Sequence, residues 1–318
     1  MLTQFIFLIL GLALVVKGAD WFVEGASALA KRFNISDLAI GLTIVAFGTS
    51  APELVVNVIA SVNGYQDIIF GNVIGSNNFN LFIILGIAGV ITPLVVQSNT
   101  VWKEIPFSFA AVILLFGLAN GILSTDVEIL TRFDGLVLLI LFGLFLFYVY
   151  RQLKVDPVQA EIPQKSYSAP KIGGLITLGL FGLVLGGRWV VTNAVEIATQ
   201  LGVSEKIIGL TIVAAGTSLP ELATSVVAAL KKNVDIAVGN IIGSNIFNIF
   251  LILAISSLVR PIQYDAIFNI DLYILAGGTL FLFVAMFTGQ RKKLDRWEAG
   301  LLLVSYVAYT VYLVGKEL

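Results

Sequence analysis

The sequence predicts an all-α membrane protein with ten transmembrane helices in two inverted-topology repeats of five helices each. Three observations support this fold class. The 318 residues are 58% hydrophobic and only 12% charged, whereas soluble domains carry about 25% charged residues. Apolar segments recur along the whole chain, and most approach the length that a helix needs to cross a bilayer. Residues 41–93 are repeated at 209–261.

Ten apolar segments alternate with short polar connections. The first contains Phe5–Val16, which is similar to a signal-peptide core. It lacks a basic start, and Lys17, Asp20 and Glu24 stand where a cleavage site would be expected. We therefore interpret this segment as a long spanning helix. The predicted segments are 2–30, 37–61, 68–92, 102–123, 133–150, 172–199, 205–230, 235–258, 267–288 and 297–315.

The segments divide into two sets of five. We expect residues 1–153 to form the first repeat and residues 172–318 to form the second. The stretch 154–171 is the least hydrophobic part of the chain and contains three prolines, so it is predicted to be a short polar linker. Because five is an odd number, the two repeats must enter the membrane in opposite directions.

The distribution of lysine and arginine predicts how the chain is oriented. Connections on one face carry 13 of the 19 basic residues, those on the other face carry 4, and two lie inside segments. Basic residues favour cytoplasmic connections. We therefore expect a multi-pass protein of the cell's inner (plasma) membrane, with the linker in the cytoplasm and both termini outside.

The internal repeat preserves polar residues as well as apolar ones. With an offset of 168, 29 of 53 positions are identical, and no gap is needed. The copies read GLTIVAFGTSAPELVVNVIAS and GLTIVAAGTSLPELATSVVAA, followed by GNVIGSNNFNLFIILGI and GNIIGSNIFNIFLILAI. Inverted repeats are typical of secondary transporters, whose binding sites lie near the bilayer midplane at the repeat interface.

Each copy places a glutamate, Glu53 or Glu221, in the middle of a predicted span. A charged side chain at that depth costs about 2.5–3.5 kcal/mol on insertion scales, so two equivalent ones indicate a function. The proline before each glutamate lacks an N–H and disrupts the helix. The backbone carbonyls of Ala46–Thr49 and Ala214–Thr217 then become candidate cation ligands. A kinked helix that serves only packing is the alternative interpretation.

The next helix of each copy carries a polar stripe. Its residues are spaced i, i+4, i+8 and so share one face. The serine and the second asparagine of each stripe lie nearer the level of the glutamate and are predicted ligands. The first asparagine is equally suited to hydrogen bonding between helices. The two stripes are Asn72, Ser76 and Asn80, and Asn240, Ser244 and Asn248.

The available chemistry points to a hard cation. The chain has no cysteine and no histidine, so any ligand set must consist of oxygen atoms, which suit Ca²⁺. One Ca²⁺ or two Na⁺ would balance two carboxylates. An empty, dehydrated pair of carboxylates is costly, which favours exchange over one-way transport. We expect no cofactor, no enzyme activity, no nucleic acid and no obligate protein partner; the predicted partners are the transported ions and the bilayer.

Two other transport classes fit less well. A sodium-coupled symporter for an organic solute would present charged groups or helix N-termini to that solute, and the motifs here contain no aromatic lining. A channel would carry a ring of equivalent groups from several subunits, whereas the pseudo-symmetry here is complete within one chain.

The motifs GTSAPE and GTSLPE, each followed by GN-x-IGSN-x-FN, resemble those of the cation/calcium exchanger superfamily, most closely its prokaryotic sodium/calcium exchangers. The resemblance covers the whole chain and implies antiport of Ca²⁺ against Na⁺ by alternating access. It implies that the first and sixth helices slide across the core. It also implies a site with Ca²⁺ at Glu53, Glu221 and the carbonyls of Thr49 and Thr217, with Na⁺ at Ala46, Ser50, Ser76, Ala214, Ser218 and Ser244, and with Asn80 and Asn248 at the centre.

One position departs from the family pattern. Sodium/calcium members often carry aspartate where this chain has Asn248. An amide keeps an oxygen ligand but loses a titratable group, so coupling to H⁺ or K⁺ stays open. The proton/calcium branch has a different signature around its glutamates, which leaves Na⁺ as the better candidate for the coupling ion.

Overall fold

The computed structural model describes residues 2–122, 128–152, 167–201, 214–289 and 291–317. These residues form helices joined by short connections, with two pairs of two-residue strands. The helices are α1 (Leu2–Phe33), α2 (Asp37–Thr49), α3 (Ala51–Asn63), α4 (Gln66–Ile91), α5 (Thr100–Ala119), α6 (Arg132–Gln152), α7 (Ala169–Gln200), α8 (Ala214–Thr217), α9 (Leu219–Leu230), α10 (Val234–Val259), α11 (Ala266–Ala285) and α12 (Arg296–Glu317).

The described part of the chain contains seven helices that are long and apolar enough to cross a membrane, namely α1, α4, α5, α6, α7, α10 and α11. Helices α2 and α3 together form an eighth span, bent by 48°. The fold is therefore that of a helical membrane protein, as predicted, while the count of ten spans stays a prediction. The start of the predicted segment 205–230 and most of the predicted linker lie outside the described residues.

Helices α4 and α10 form the centre of the molecule. Their most apolar stretches are 67% and 89% buried, compared with 33% for α1 and 28% for α7. A helix that is apolar and enclosed on all sides belongs to a core, whereas one buried along a single stripe lies at the periphery. The polar stripes predicted on α4 and α10 thus lie inside the protein, and every stripe residue except the half-buried Asn72 is buried.

Two long peripheral helices, α1 and α7, pack against each other in antiparallel orientation through glycines. A Cβ atom on Gly18 would lie 2.7 Å from the backbone nitrogen of Leu183 and 2.8 Å from the carbonyl of Gly179. Further along α1, a Cβ atom on Gly25 would lie 2.9 Å from the side chain of Ile176. Small residues permit such backbone contact between membrane helices, so α1 and α7 form a close pair.

Short strands join the two halves of the chain. Strand β1 (Leu94–Val95) pairs antiparallel with β4 (Lys293–Leu294), and β2 (Ile129–Leu130) pairs antiparallel with β3 (Ile262–Gln263). Each pairing connects a segment that follows α4 or α10 to the segment that precedes the last helix of the other half. The halves are therefore interlocked and do not form separate bodies.

Candidate cation-binding site

The site begins at a break in the bent span formed by α2 and α3. Ser50 stands between the two helices with φ −84° and ψ 3°, outside the helical geometry of its neighbours. Pro52 follows in the first turn of α3, where its missing N–H costs no helical hydrogen bond. The same geometry recurs at Ser218, with φ −88° and ψ 8°, ahead of α9. The predicted helix breaks are therefore present in both copies.

The two glutamates lie in the first turns of α3 and α9 and are fully enclosed. Glu53 and Glu221 are each 1% exposed, and the two carboxyl groups interact electrostatically. Their surroundings differ. Ser50 donates a hydrogen bond to Glu221 Oε1 at 2.9 Å, whereas both oxygens of Glu53 and the Oε2 atom of Glu221 have no hydrogen-bond partner among the described residues. The arrangement presents three carboxylate oxygens that could bind a cation.

The serines at the breaks contact the core helix of the opposite half. The Ser50 and Ser244 hydroxyl oxygens are 3.0 Å apart, and those of Ser218 and Ser76 are 3.2 Å apart. All four side chains are buried. The structure thus brings the four predicted serine ligands together in two pairs that are related by the repeat.

The first asparagine of each stripe braces the helices. Asn240 accepts from the hydroxyl of Thr49 at 3.0 Å and donates to Ser225 Oγ at 2.9 Å. In the other half, Asn72 donates to Thr217 Oγ1 at 3.2 Å and accepts from Asn57 at 2.7 Å. Both amide groups are engaged in bonds between helices. Of the two interpretations of these asparagines, hydrogen bonding between helices is the one that the structure shows.

The second asparagine of each stripe presents a free oxygen. Asn80 and Asn248 are each 1% exposed, and in the part of the chain that the structure describes the Oδ1 atom of each is buried without a partner. Their amide nitrogens donate to Asn245 Oδ1 at 3.0 Å and to Asn77 Oδ1 at 2.9 Å, respectively. A π-helical turn, a feature frequent at functional sites, spans Asn80 in α4 and begins at Asn248 in α10.

The alanines of the predicted set contribute only backbone. The carbonyl of Ala46 accepts the amide of Ser50 at 2.9 Å and lies 3.3 Å from the hydroxyl of Thr49. Ala214 is the first residue of α8, and its side chain lies outside the described residues. Sequence reasoning missed Asn77 and Asn245, although both copies of the IGSN motif contain them.

Five buried side-chain oxygens without partners therefore belong to four residues of the site: Glu53, Glu221, Asn80 and Asn248. Unpaired buried polar atoms are costly and call for an explanation. The described residues contain no group of three or more carboxylate, histidine or cysteine side chains placed to hold a metal. A cation here would be bound by two carboxylates together with amide, hydroxyl and backbone oxygens, which is a donor set for Ca²⁺ or Na⁺.

Comparison with known proteins identifies the family. The family model described as "Sodium/calcium exchanger protein" matches residues 3–151 and 171–315. The chain belongs to the sodium/calcium exchanger family. It is accordingly a multi-pass membrane antiporter for cations, as the resemblance implied.

Individual relatives cover nearly the whole chain. The sodium/calcium exchanger MaX1 of Methanosarcina acetivorans is 32% identical, with 98% of each chain covered. The inner membrane protein YrbG of Escherichia coli (strain K12) is 39% identical over 81% of this chain and 80% of its own. A solved structure of the sodium-calcium exchanger NCX_Mj superimposes with a TM-score of 0.83 and 33% identity, with 98% of each chain covered.

Proposed function

We propose that this member of the exchanger family exchanges Ca²⁺ for Na⁺ across the plasma membrane by alternating access, at a midplane site built on Glu53 and Glu221. One observation carries the proposal: the five unpartnered buried oxygens of the two glutamates, Asn80 and Asn248. A hard cation among them would satisfy atoms that have no partner among the described residues. The family assignment and the NCX_Mj fold support the choice of ions.

The charge of the site supports exchange rather than one-way transport. Two ionised carboxylates are balanced by one Ca²⁺ or by two Na⁺, so the loaded forms are close to neutral. The empty form leaves both carboxylates dehydrated, and buried uncompensated charge is strongly unfavourable. The protein would therefore change its open face only with ions bound, which couples the movement of one ion to that of the other.

The two ions are proposed to use different parts of the site. Ca²⁺ binds between the glutamates, with the carbonyls of Thr49 and Thr217. Na⁺ binds at the flanking sets, and Asn80 and Asn248 face the centre. The carboxylate of Glu53 supports this division because, among the described residues, it has no hydrogen bond that Ca²⁺ binding would break. The flanking sets are Ala46, Ser50 and Ser244, and Ser76, Ala214 and Ser218.

The proposed topology has ten spans in two inverted halves, with residues 1–153 and 172–318 as the halves and residues 154–171 as a cytoplasmic linker. This topology places the connections that contain β1 and β4 on the cytoplasmic face, and those that contain β2 and β3 on the outer face. Strands can pair only if they lie on the same side, so the β1–β4 and β2–β3 pairings support it. The contacts of Ser50 with Ser244 and of Ser218 with Ser76, which are equivalent under the offset of 168, support it further.

Calcium flux in proteoliposomes tests the proposal. An outward Na⁺ gradient should drive Ca²⁺ uptake, and Glu53→Gln or Glu221→Gln should abolish it, since each change removes half of the site's charge and keeps its shape. Glu128→Gln is a matched control, because it makes the same substitution at an exposed glutamate outside the helices. Normal uptake by either glutamine variant would refute the site.

The coupling ion is tested in the same vesicles. Asn248 supplies an amide where many family members have a carboxylate, so K⁺ and H⁺ gradients are imposed separately beside the Na⁺ gradient. Uptake that follows only the Na⁺ gradient supports the proposal. If Ca²⁺ uptake requires K⁺ or follows the pH gradient, Na⁺ is not the sole coupling ion.

A further inference from the structure

We propose that Asn77 and Asn245 are positioning residues, which hold the amides of Asn248 and Asn80 so that oxygen, and not nitrogen, faces the transported cation. This inference rests on the proposed function of the site. Asn77 and Asn245 are 0% and 4% exposed. They lie one residue after the serines of the polar stripes and therefore off the face that those stripes form.

The two residues form a reciprocal link between α4 and α10. Asn77 Nδ2 donates to the backbone carbonyl of Asn245 at 3.2 Å, and Asn245 Nδ2 donates to the backbone carbonyl of Asn77 at 3.4 Å. A backbone carbonyl can only accept hydrogen bonds. Each side chain must therefore direct its NH₂ group at the opposite backbone, which leaves its own Oδ1 atom as an acceptor.

These acceptors determine the orientation of the site asparagines. Asn77 Oδ1 accepts from Asn248 Nδ2 at 2.9 Å, and Asn245 Oδ1 accepts from Asn80 Nδ2 at 3.0 Å. An amide has its oxygen on one side and its NH₂ on the other. The Oδ1 atoms of Asn248 and Asn80 are consequently the ones left free, and both are buried without a partner.

The orientation matters because the two ends of an amide carry opposite partial charges. An oxygen attracts a cation, whereas an NH₂ group in its place repels the cation and removes one ligand. Without the link, the amide of Asn248 could rotate and exchange its two ends at little cost. The backbone carbonyls of α4 and α10 thus fix the orientation of Asn77 and Asn245. These two residues in turn determine which end of the site amides faces the ion.

The same substitution made in two proteins distinguishes a positioning role of Asn77 from a packing role. Asn77→Ala is made in the parent and in Asn248→Asp, and initial Na⁺-driven Ca²⁺ uptake is measured over a range of Ca²⁺ concentrations. A carboxylate has two equivalent oxygens, so rotation of Asp at 248 does not change which atom faces the ion. Asn78→Ala is the matched control: Asn78 is a neighbouring asparagine, 2% exposed, whose amide donates to the backbone of Asp271.

We expect Asn77→Ala to raise the KM for Ca²⁺ in the parent about tenfold, equivalent to roughly 1.4 kcal/mol of binding free energy, while kcat changes much less. In the Asn248→Asp background the same change should alter the KM by less than about twofold, a departure from additivity far larger than independent sites show, because either carboxylate oxygen can face the ion. Asn78→Ala should leave the KM close to that of the parent.

An equal rise in KM in both backgrounds would assign Asn77 a packing role and overturn the inference, as would an equal effect of Asn78→Ala. If Asn77→Ala does not fold, Asn245→Ala with and without Asn80→Asp provides the equivalent test in the other half. Absence of Ca²⁺ uptake by the parent would instead refute the proposed function, so the two failures are distinguishable.

Discussion

The unequal surroundings of the two glutamates predict unequal effects of equivalent mutations. Ser50 and Ser218 occupy the same position in the two copies of the repeat, and each is buried at a helix break. Ser50 donates to the carboxylate of Glu221, whereas among the described residues the hydroxyl of Ser218 donates only to the hydroxyl of Ser76. Ser50→Ala should therefore destabilise the ion-free protein more than Ser218→Ala.

The magnitude follows from the type of bond lost. At a pH where Glu221 is ionised, its hydrogen bond from Ser50 contributes about 1.5–3 kcal/mol, and a bond between neutral groups contributes about 0.5–1.5 kcal/mol. The difference between the variants is then roughly 1 kcal/mol. In large domains each kcal/mol changes Tm by about 2–4 °C, so Ser50→Ala should unfold about 2 °C below Ser218→Ala.

Thermal unfolding in detergent provides the assay, first without Na⁺ or Ca²⁺ and then with saturating Ca²⁺. A bound cation satisfies the Glu221 oxygens in place of the lost hydroxyl, so Ca²⁺ should reduce the difference in Tm between the two variants. The reasoning is refuted if Ser218→Ala is equally or more destabilised in the ion-free state. If Ca²⁺ leaves the difference in Tm unchanged, Glu221 does not bind Ca²⁺.

Three further outcomes are expected. Ser168→Cys, exposed within the proposed cytoplasmic linker, should react with an impermeant thiol reagent only after cells are permeabilised. Gly239→Ala should destabilise the protein by about 1–3 kcal/mol in chemical denaturation, because its Cβ would lie 2.9 Å from the carbonyl of Leu38. Asn248→Asp should make Ca²⁺ uptake fall more steeply between about pH 8 and pH 6, since protons compete with cations for a third carboxyl group.

Each of these predictions has its own control. Gln263→Cys, exposed on the proposed outer face, should react in intact cells, and the reverse pattern of labelling would overturn the orientation. Gly277→Ala has no atom within 4 Å of the added Cβ and should unfold like the parent. An equal loss of unfolding free energy in Gly239→Ala and Gly277→Ala would contradict the packing argument. Superimposable pH profiles for Asn248→Asp and the parent would show that position 248 does not contact the ion.

Local chemistry made the helix breaks predictable. The proline after Ser50 or Ser218 removes a helical donor wherever the chain folds, and the structure ends one helix and begins the next at those serines. The buried glutamates were predictable for a similar reason, because their cost in a membrane indicates a function regardless of the neighbouring helices.

The difference between the glutamates was not predictable. Both copies read GTS-x-PE, and only the packing of one half against the other decides that Ser50 reaches Glu221 while Glu53 stays bare. Asn77 and Asn245 were missed because a test based on helical periodicity excludes residues beside a stripe. Their presence in both copies was the signal available, and it becomes interpretable only with the partner helix in place.

The exchange of contacts between the halves also affects how the protein is made. When the ribosome has released the residues up to Gln152, the hydroxyls of Ser50 and Ser76 still lack Ser244 and Ser218, which contact them in the finished protein. Unpaired polar groups are costly in hydrocarbon, so the nascent first half stays incomplete until α9 and α10 have been inserted. Two separately synthesised half-chains should accordingly be short-lived alone and stable when produced together, since each supplies the polar partners that the other lacks.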